Sequence, residues 1–327
     1  MSTTVIAPPP TSGTPEGHGH VTTIGVILTQ RIYAGVIHNG TLAGELKIFP
    51  DSPIPEDEDD DNSLVELPAE SLVAAICDVV LPLARTHESH LQAIGVAIPG
   101  LVRNGSVEDA PNFPQLKGER LEQRITQALA DRGLKTRVCV LNDADAMAAG
   151  LASTHGKLDR NIRVWTLGTG IGYGVYPFME GAWEGGHTVV TLDDRENYCG
   201  CGGRGHLEGI MGHRAMRLRF LDMEPEEVFE AANRKTSPDH RCLEFKKLWH
   251  RALAAATASA VHISGGGKFF LTGFNVRFLD MNMLRQYLSE MVKMSCLQNY
   301  SMEVVPDDQA VRVLGAAVAA SQMCSRS

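Results

Sequence analysis

From Thr22 to Val36 the chain is rich in β-branched and aliphatic residues, a pattern that predicts a β-hairpin, with a further short strand at Leu46–Ile48. Between Pro68 and Thr86 the apolar residues fall at helical spacing, so that Leu72, Ala75, Ile76, Val79 and Val80 share one face. The stretch AIGVAIPGLVRNG reads as a strand and loop. DAPNFPQLKG follows, its two prolines confining the backbone to an extended path. Glu119 to Arg132 is a second amphipathic helix, ended by Gly133. RVCVLNDADAMAAGLAS is a strand that stops at Asn142, with a helix beginning within a few residues, and RVWTLGTGIGYGVYPFMEG is a hairpin with glycines at its turn. Helical sequence then runs to about His262, GGGKFFLTGF holds a short buried strand, and VRVLGAAVAASQM is a closing helix of small residues. Strands and helices alternate, and hairpins recur near residues 25–36 and 164–176. The pattern is that of an α/β protein of two related lobes.

Composition narrows the class. At 327 residues the chain exceeds one ordinary hydrophobic core, which favours two lobes. Its 43% hydrophobic content is globular, and no apolar run approaches a membrane span. Residues 1–20, with Pro8, Pro9 and Pro10 followed by Gly, Ser, Thr and His, are expected to form a disordered tail without a signal peptide's apolar core. The acidic run DSPIPEDEDDDN reads as a solvated loop. A net charge of −9 argues against a nucleic-acid surface, which needs clustered Lys and Arg. Seven cysteines, an odd number and mostly far apart, do not make a disulfide framework, and a reducing cytoplasm is the expected location.

The most informative segment is EGGHTVVTLDDRENYCGCGGRGHLE, residues 184–208. His187, Cys199, Cys201 and His206 offer the ligand count and type of a closed tetrahedral zinc site. Gly200, Gly202, Gly203 and Gly205 let the backbone fold tightly enough for two thiolates to reach one ion. Glu184 and Glu208 flank the ligands and are free to line a polar pocket. The competing account is a glycine-rich surface loop with incidental cysteines.

Cys199-Gly-Cys201-Gly202-Gly203-Arg204-Gly205-His206-Leu207-Glu208 is similar to the zinc signature C-x-C-G-x-x-G-C-x-E of the ROK family, which includes bacterial sugar kinases and repressors; His206 stands at the third cysteine. The resemblance runs from about Thr22 to Met323. It implies a two-lobed actin-like ATPase (ribonuclease H-like) α/β fold with a zinc-binding loop. A small lobe would span residues 21–115, completed by the closing helix 308–327, and a large lobe 116–307 would carry the zinc loop. Ala182-Trp183-Glu184-Gly185-Gly186-His187 resembles the family's A-G-E-x-G-H. It implies that Glu184 binds sugar hydroxyls and that His187 serves zinc with one ring nitrogen and sugar with the other; Trp183, in place of glycine, would narrow the pocket. Glu208 carries over as a further sugar contact. Asn112, in Ala110-Pro111-Asn112-Phe113-Pro114, resembles the sugar-binding asparagine of A-P-N-L-P, although by itself it reads as a turn residue before proline. Leu141-Asn142-Asp143-Ala144-Asp145 is similar to N-D-A-N, which implies substrate contacts from Asn142 and Asp143, with Asp143 the general base; the local alternative is a helix cap. Asp145 replaces the second asparagine and adds a charge near the site.

The nucleotide half departs from that pattern. Leu167-Gly168-Thr169-Gly170-Ile171-Gly172 resembles the second phosphate-binding hairpin, which implies nucleotide contacts from Gly168, Thr169, Gly170 and Gly172. The first, D-x-G-G-T in the family, corresponds to Gly25-Val26-Ile27-Leu28-Thr29-Gln30, without the metal-organising aspartate or the turn glycines and one residue short. The family's adenosine-contacting G-G-G is degraded as well: Phe270-Leu271-Thr272-Gly273-Phe274 stands in its place, with Gly265-Gly266-Gly267 just upstream as the alternative. The resemblance thus implies ATP-dependent phosphorylation of a hexose or N-acetylhexosamine, with structural Zn²⁺ and with Mg²⁺ on the triphosphate. The rival reading is a catalytically impaired sugar-binding sensor. The expected partners are a small-molecule sugar and a second copy in a homodimer. No membrane is expected, and no nucleic acid, since some twenty residues before the first strand cannot hold a helix-turn-helix.

Overall fold

Seven consecutive buried residues make up β1 (Thr22–Leu28), as expected of a strand inside a sheet covered on both faces. The structure is a computed structural model and describes residues 21–51, 64–87, 90–155, 161–178 and 184–325. The N-terminal tail, nearly all of the acidic run and Trp183 lie outside the described residues. β2 (Ile32–His38) and β3 (Thr41–Phe49) continue antiparallel from β1. The strand expected at Leu46–Ile48 lies in the second half of nine-residue β3, whose mostly exposed positions carry no clean alternation because it forms the sheet edge. α1 (Ala69–Arg85) crosses to β4 (Leu91–Ile98), which runs parallel to β1. A small ribbon of β5 (Leu101–Arg103) and β6 (Ser106–Asp109) precedes α2 (Leu121–Asp131) and β7 (Arg137–Asn142). The first sheet is ordered β3-β2-β1-β4-β7.

α3 (Asp143–Thr154) leads into the hairpin of β8 (Ile162–Leu167) and β9 (Ile171–Tyr176). Beyond the zinc-type loop come α4 (Leu207–Met211), α5 (His213–Arg219), α6 (Pro225–Ala232) and α7 (His240–Ser264). β10 (Lys268–Thr272), α8 (Met281–Met291), β11 (Ser301–Val304) and α9 (Gln309–Ser325) complete the chain. The second sheet is ordered β11-β10-β8-β9. Each sheet opens with an antiparallel hairpin and adds parallel strands beside its first member, which is the internal likeness that the two hairpin signals foretold.

Leu116, Leu121, Ile125, Leu129, Val138 and Val140 share one core with β1 and α1, because β7 pairs with β4 and draws α2 onto the first sheet. α9 returns to this sheet, packing on β1 and β4 and crossing α3. The crossing is close because both helices present glycine there: a Cβ at Gly150 would run into the Val311 carbonyl, and one at Gly315 into that of Ala146. In the second lobe, Asp239 caps α7 by accepting from the Cys242 N–H at 2.9 Å. Buried Arg163 closes the other end by donating to the Ser264 carbonyl at 2.9 Å and that of Gly266 at 3.3 Å. No helix among the described residues is long and apolar enough to cross a membrane.

Candidate functional site

The end of β7 carries the acid and its cap. Asn142 has an extended backbone and caps α3, its Oδ1 accepting from the Ala144 N–H at 2.8 Å while its Nδ2 donates to the Gly100 carbonyl at 2.8 Å. The amide is therefore engaged with backbone at both ends, tying strand, helix and the β4–β5 turn together. Asp143, the first residue of α3, keeps 24% of its side chain exposed, and its Oδ2 lies 3.1 Å from Nη1 of Arg312 on α9. Burial raises its carboxyl above the usual range, and the neighbouring guanidinium works the other way. Asp145 turns inward instead. It is only 8% exposed and accepts from the Val175 N–H of β9 at 2.9 Å. Desolvation, reinforced by the nearby charges of Asp143 and Glu184 and opposed by that hydrogen bond, pushes it up to about 7. The additional carboxyl at this position is thus buried, disfavoured in its charged form, and holds β9.

The loop from Glu184 to Glu208 is built around tight turns. Gly202 and Gly205 have positive φ (82° and 67°), and a Cβ on Gly203 would strike the His206 ring. Leu207 N–H donates to the Thr188 carbonyl at 3.0 Å and Val190 N–H to that of Gly205 at 2.8 Å, bringing the two ends of the loop together. An ion pair between Glu196 and Arg219, whose guanidinium also covers the Tyr198 ring at 4.4 Å, anchors the loop to α5. The expected metal donors converge. The Cys199 and Cys201 sulfurs are 3.4 Å apart, and Cys201 Sγ is 3.2 Å from His206 Nδ1. Two thiolates on one tetrahedral zinc lie about 3.8 Å apart for bonds of about 2.3 Å, so the cysteine pair could share one ion with small adjustment. His187 belongs with Cys201 and His206 in one cluster and with Cys199 and Glu208 in another, the ligand atoms of each within 4.8 Å of one another. Burial and the charge of His187 lower the His206 imidazole below its ordinary value, in the direction that favours the neutral, ligating form. Burial pushes the Cys199 thiol up to about 12, a cost that a bound cation reverses.

Glu208 links this cluster to the β8–β9 turn. Its Oε1 is 3.7 Å from Cys199 Sγ and 4.0 Å from His187 Nε2, while Oε2 accepts from the Ile171 N–H at 3.0 Å. Desolvation raises the Glu184 carboxyl; His187 opposes this, and Glu208, Asp143 and Asp109 reinforce it. The charges that reach Glu184 thus come from β6, from the start of α3 and from the far end of its own loop. Asn112 is exposed in the turn just beyond Asp109, and its side chain makes no hydrogen bond among the described residues.

The two phosphate-type turns have equal length here, three residues each, since Leu28 pairs with Ile32 and Leu167 with Ile171. Their interiors differ. In the second turn the Gly168 N–H bonds the Gly170 carbonyl at 3.0 Å, and the Gly172 N–H is taken by the Thr166 hydroxyl at 3.1 Å. The N–H groups of Thr169 and Gly170 make no hydrogen bond among the described residues, which leaves those two, rather than all four expected residues, as open backbone donors. Asn275 and His213 clamp this turn from behind, the Asn275 amide and the His213 N–H both bonding the Gly168 carbonyl, at 2.9 and 3.0 Å. In the first turn the Thr29 hydroxyl bonds both ways with Arg31, and Ile27 and Leu28 are fully buried. Of the two candidate adenosine segments, Gly273 and Phe274 abut the second turn, at Leu167 and Gly168, whereas Gly265–Gly267 link α7 to β10.

A sequence profile described as the ROK family matches residues 58–322. The chain belongs to the ROK family. It is 26% identical over 265 residues to an N-acetylmannosamine kinase of Haemophilus influenzae, covering 77% of this chain and 85% of that protein. It is 29% identical over 184 residues to a glucokinase of Pyrobaculum calidifontis, covering 51% of this chain and 57% of that protein's length. Its fold matches a ROK hexokinase from Thermus thermophilus with a TM-score of 0.69 at 22% identity, over 94% of this chain and 100% of the other. The two-lobed, actin-like α/β architecture of ROK sugar kinases is therefore the fold of this chain.

One residue at the cleft escaped the sequence reading. Arg312 is 5% exposed and holds Asp143 together with Asp307, yet it sits in VRVLGAAVAA, a stretch taken simply as a closing helix. A lone guanidinium in a run of small apolar residues was the available signal, because such a charge must meet a partner when the helix is buried.

Proposed function

We propose that this ROK protein is an ATP-dependent kinase for a hexose or an N-acetylhexosamine. The observation that carries the proposal is that Glu208 stands between His187, 4.0 Å away, and the β8–β9 turn with its open Thr169 and Gly170 N–H donors, while the charges of Asp143 and Glu208 act on Glu184. The names of the relatives, a glucokinase and an N-acetylmannosamine kinase, agree with it. Glu184, His187, Glu208 and Asn112 would bind sugar hydroxyls, with Asn142 holding the wall of the site. Asp143 would accept the proton of the attacking hydroxyl as its oxygen forms the bond to the γ-phosphorus and ADP departs. Thr169 and Gly170 would hold phosphate oxygens of Mg-ATP through their backbone. His187, Cys199, Cys201 and His206 would hold zinc, which supplies a fixed loop and a fixed orientation for His187. A homodimer in the cytoplasm completes the proposal.

The sensor reading is kept because of the first turn: with Ile27 and Leu28 buried and Thr29 satisfied within the turn, no carboxylate stands there to organise a metal on the triphosphate. One experiment separates the two. A panel of hexoses and N-acetylhexosamines is tested for sugar-dependent ADP release and, in parallel, for binding by calorimetry. The kinase reading expects turnover that Asp143→Asn abolishes with sugar affinity nearly unchanged, because an amide keeps the shape but cannot take the proton. Sugar binding without turnover in the wild type establishes the sensor instead, and no binding by any sugar removes both.

A further inference from the structure

Arg312 is buried on α9, among the small residues that pack against β1 and β4. Its Nη1 reaches Oδ2 of Asp143 at 3.1 Å, and its Nε and Nη2 both reach Oδ1 of Asp307 at 2.9 Å. A guanidinium in such a place is costly unless its charge is matched, and here two carboxylates match it. The pairing spans 169 positions of sequence, and the helix crossing fixes its geometry. Val311 and Gly315, on either side of Arg312, are the residues by which α9 meets Gly150 and Ala146 of α3, at contacts too close for any Cβ. Neither helix can slide without overlap, so Arg312 stays opposite the first residue of α3.

Resting on the kinase reading, we propose that Arg312 is a positioning residue for the base: it holds one oxygen of Asp143 and leaves the other turned to the sugar hydroxyl. Asp307 is its anchor. The planar guanidinium fork meets both carboxylates at once, which a lysine's single ammonium does less well. The charged groups that act on Asp143 are Arg312 from α9 and Asp307 from the segment before it, and Asp143 in turn acts on Asp145 of α3 and on Glu184 of the loop after β9. Arg312 is the sole cation among them, so its removal leaves the carboxylate surrounded by like charge, and the proton acceptor fills with a proton at higher pH. The step itself is unchanged: the hydroxyl proton passes to Asp143, the oxygen–phosphorus bond forms, and the bond to ADP breaks.

The test compares pH–rate profiles of kcat/KM for wild type, Arg312→Met and Arg312→Lys, with folding checked by circular dichroism. R312M is expected to lose activity more on the acidic side than at pH 8, its acidic limb displaced to higher pH, as for loss of one opposite charge beside a carboxylate. R312K is expected to keep the wild-type acidic limb while kcat falls, because the charge remains and the fork does not. Should R312M fail to fold, Arg312→Gln carries the same readout. A folded, neutral variant with the wild-type profile overturns the inference and leaves the kinase reading standing. Absence of turnover in wild type overturns the kinase reading instead. Titration of the ¹³C-labelled Asp143 carboxyl, assigned with Asp143→Asn, then decides on Arg312: a titration displaced to higher pH in R312M supports the inference, and an unmoved one overturns it.

Discussion

Asp145→Asn should stabilise this protein, and should do so only toward neutral and alkaline pH. Asp145 is 8% exposed and accepts from the Val175 N–H at 2.9 Å, a bond that an asparagine oxygen can accept equally well. In the folded chain its carboxyl is pushed up to about 7 from an ordinary 3.8. Between those values the folded state holds a proton that the unfolded state has released, so the contribution favours folding at low pH and is lost as pH rises toward 7. From pH 5 to pH 8 the part of the shift inside the window is 7 − 5, about two units, worth about 3 kcal/mol at ~1.4 kcal/mol per unit. The amide carries no such term. Urea unfolding followed by the fluorescence of buried Trp165 and Trp249 at both pH values measures the difference directly. Metal loss at low pH acts on both proteins and cancels. The stability of D145N relative to wild type is expected to rise by a few kcal/mol, at most about 3, from pH 5 to pH 8. Parallel pH curves would refute the assignment of Asp145 as a buried group that ionises at a cost.

Gly315→Val should weaken the α3–α9 crossing, since its Cβ would meet the Ala146 carbonyl; a loss of about 1–3 kcal/mol or more in urea unfolding is expected, and an unchanged midpoint would mean that the helices are free to separate. Elemental analysis should find about one zinc per chain, and Cys199→Ser should lower both the metal content and the melting temperature, because ligand loss and loop unfolding are linked. Metal-free wild-type protein with full sugar affinity would count against the zinc site.

Much of the fold is legible in local pattern. The two hairpins, α1 with its buried Leu72, Ile76 and Val80, and the closing helix α9 each follow from periodicity and turn residues that lie within a few positions of one another. The donors of the metal-type cluster are legible for the same reason: His187, Cys199, Cys201 and His206 lie within a single short loop, so their convergence is a matter of local turns. What only the tertiary structure decided are pairings between distant segments and the choice among like groups. Nothing local shows that β7 joins β4 and draws α2 into the core of the first sheet, because strand order is set by which apolar faces are finally covered. Asp143 and Asp145 are equivalent as letters, yet one opens on the cleft and the other is buried against Val175, since residues two apart point in different directions on a helix. The partner of Asp143 stands 169 residues away, on a helix whose composition spoke only of packing. Sequence determined which groups were available; the crossing of α3 and α9, held close by Gly150 and Gly315, determined which of them meet.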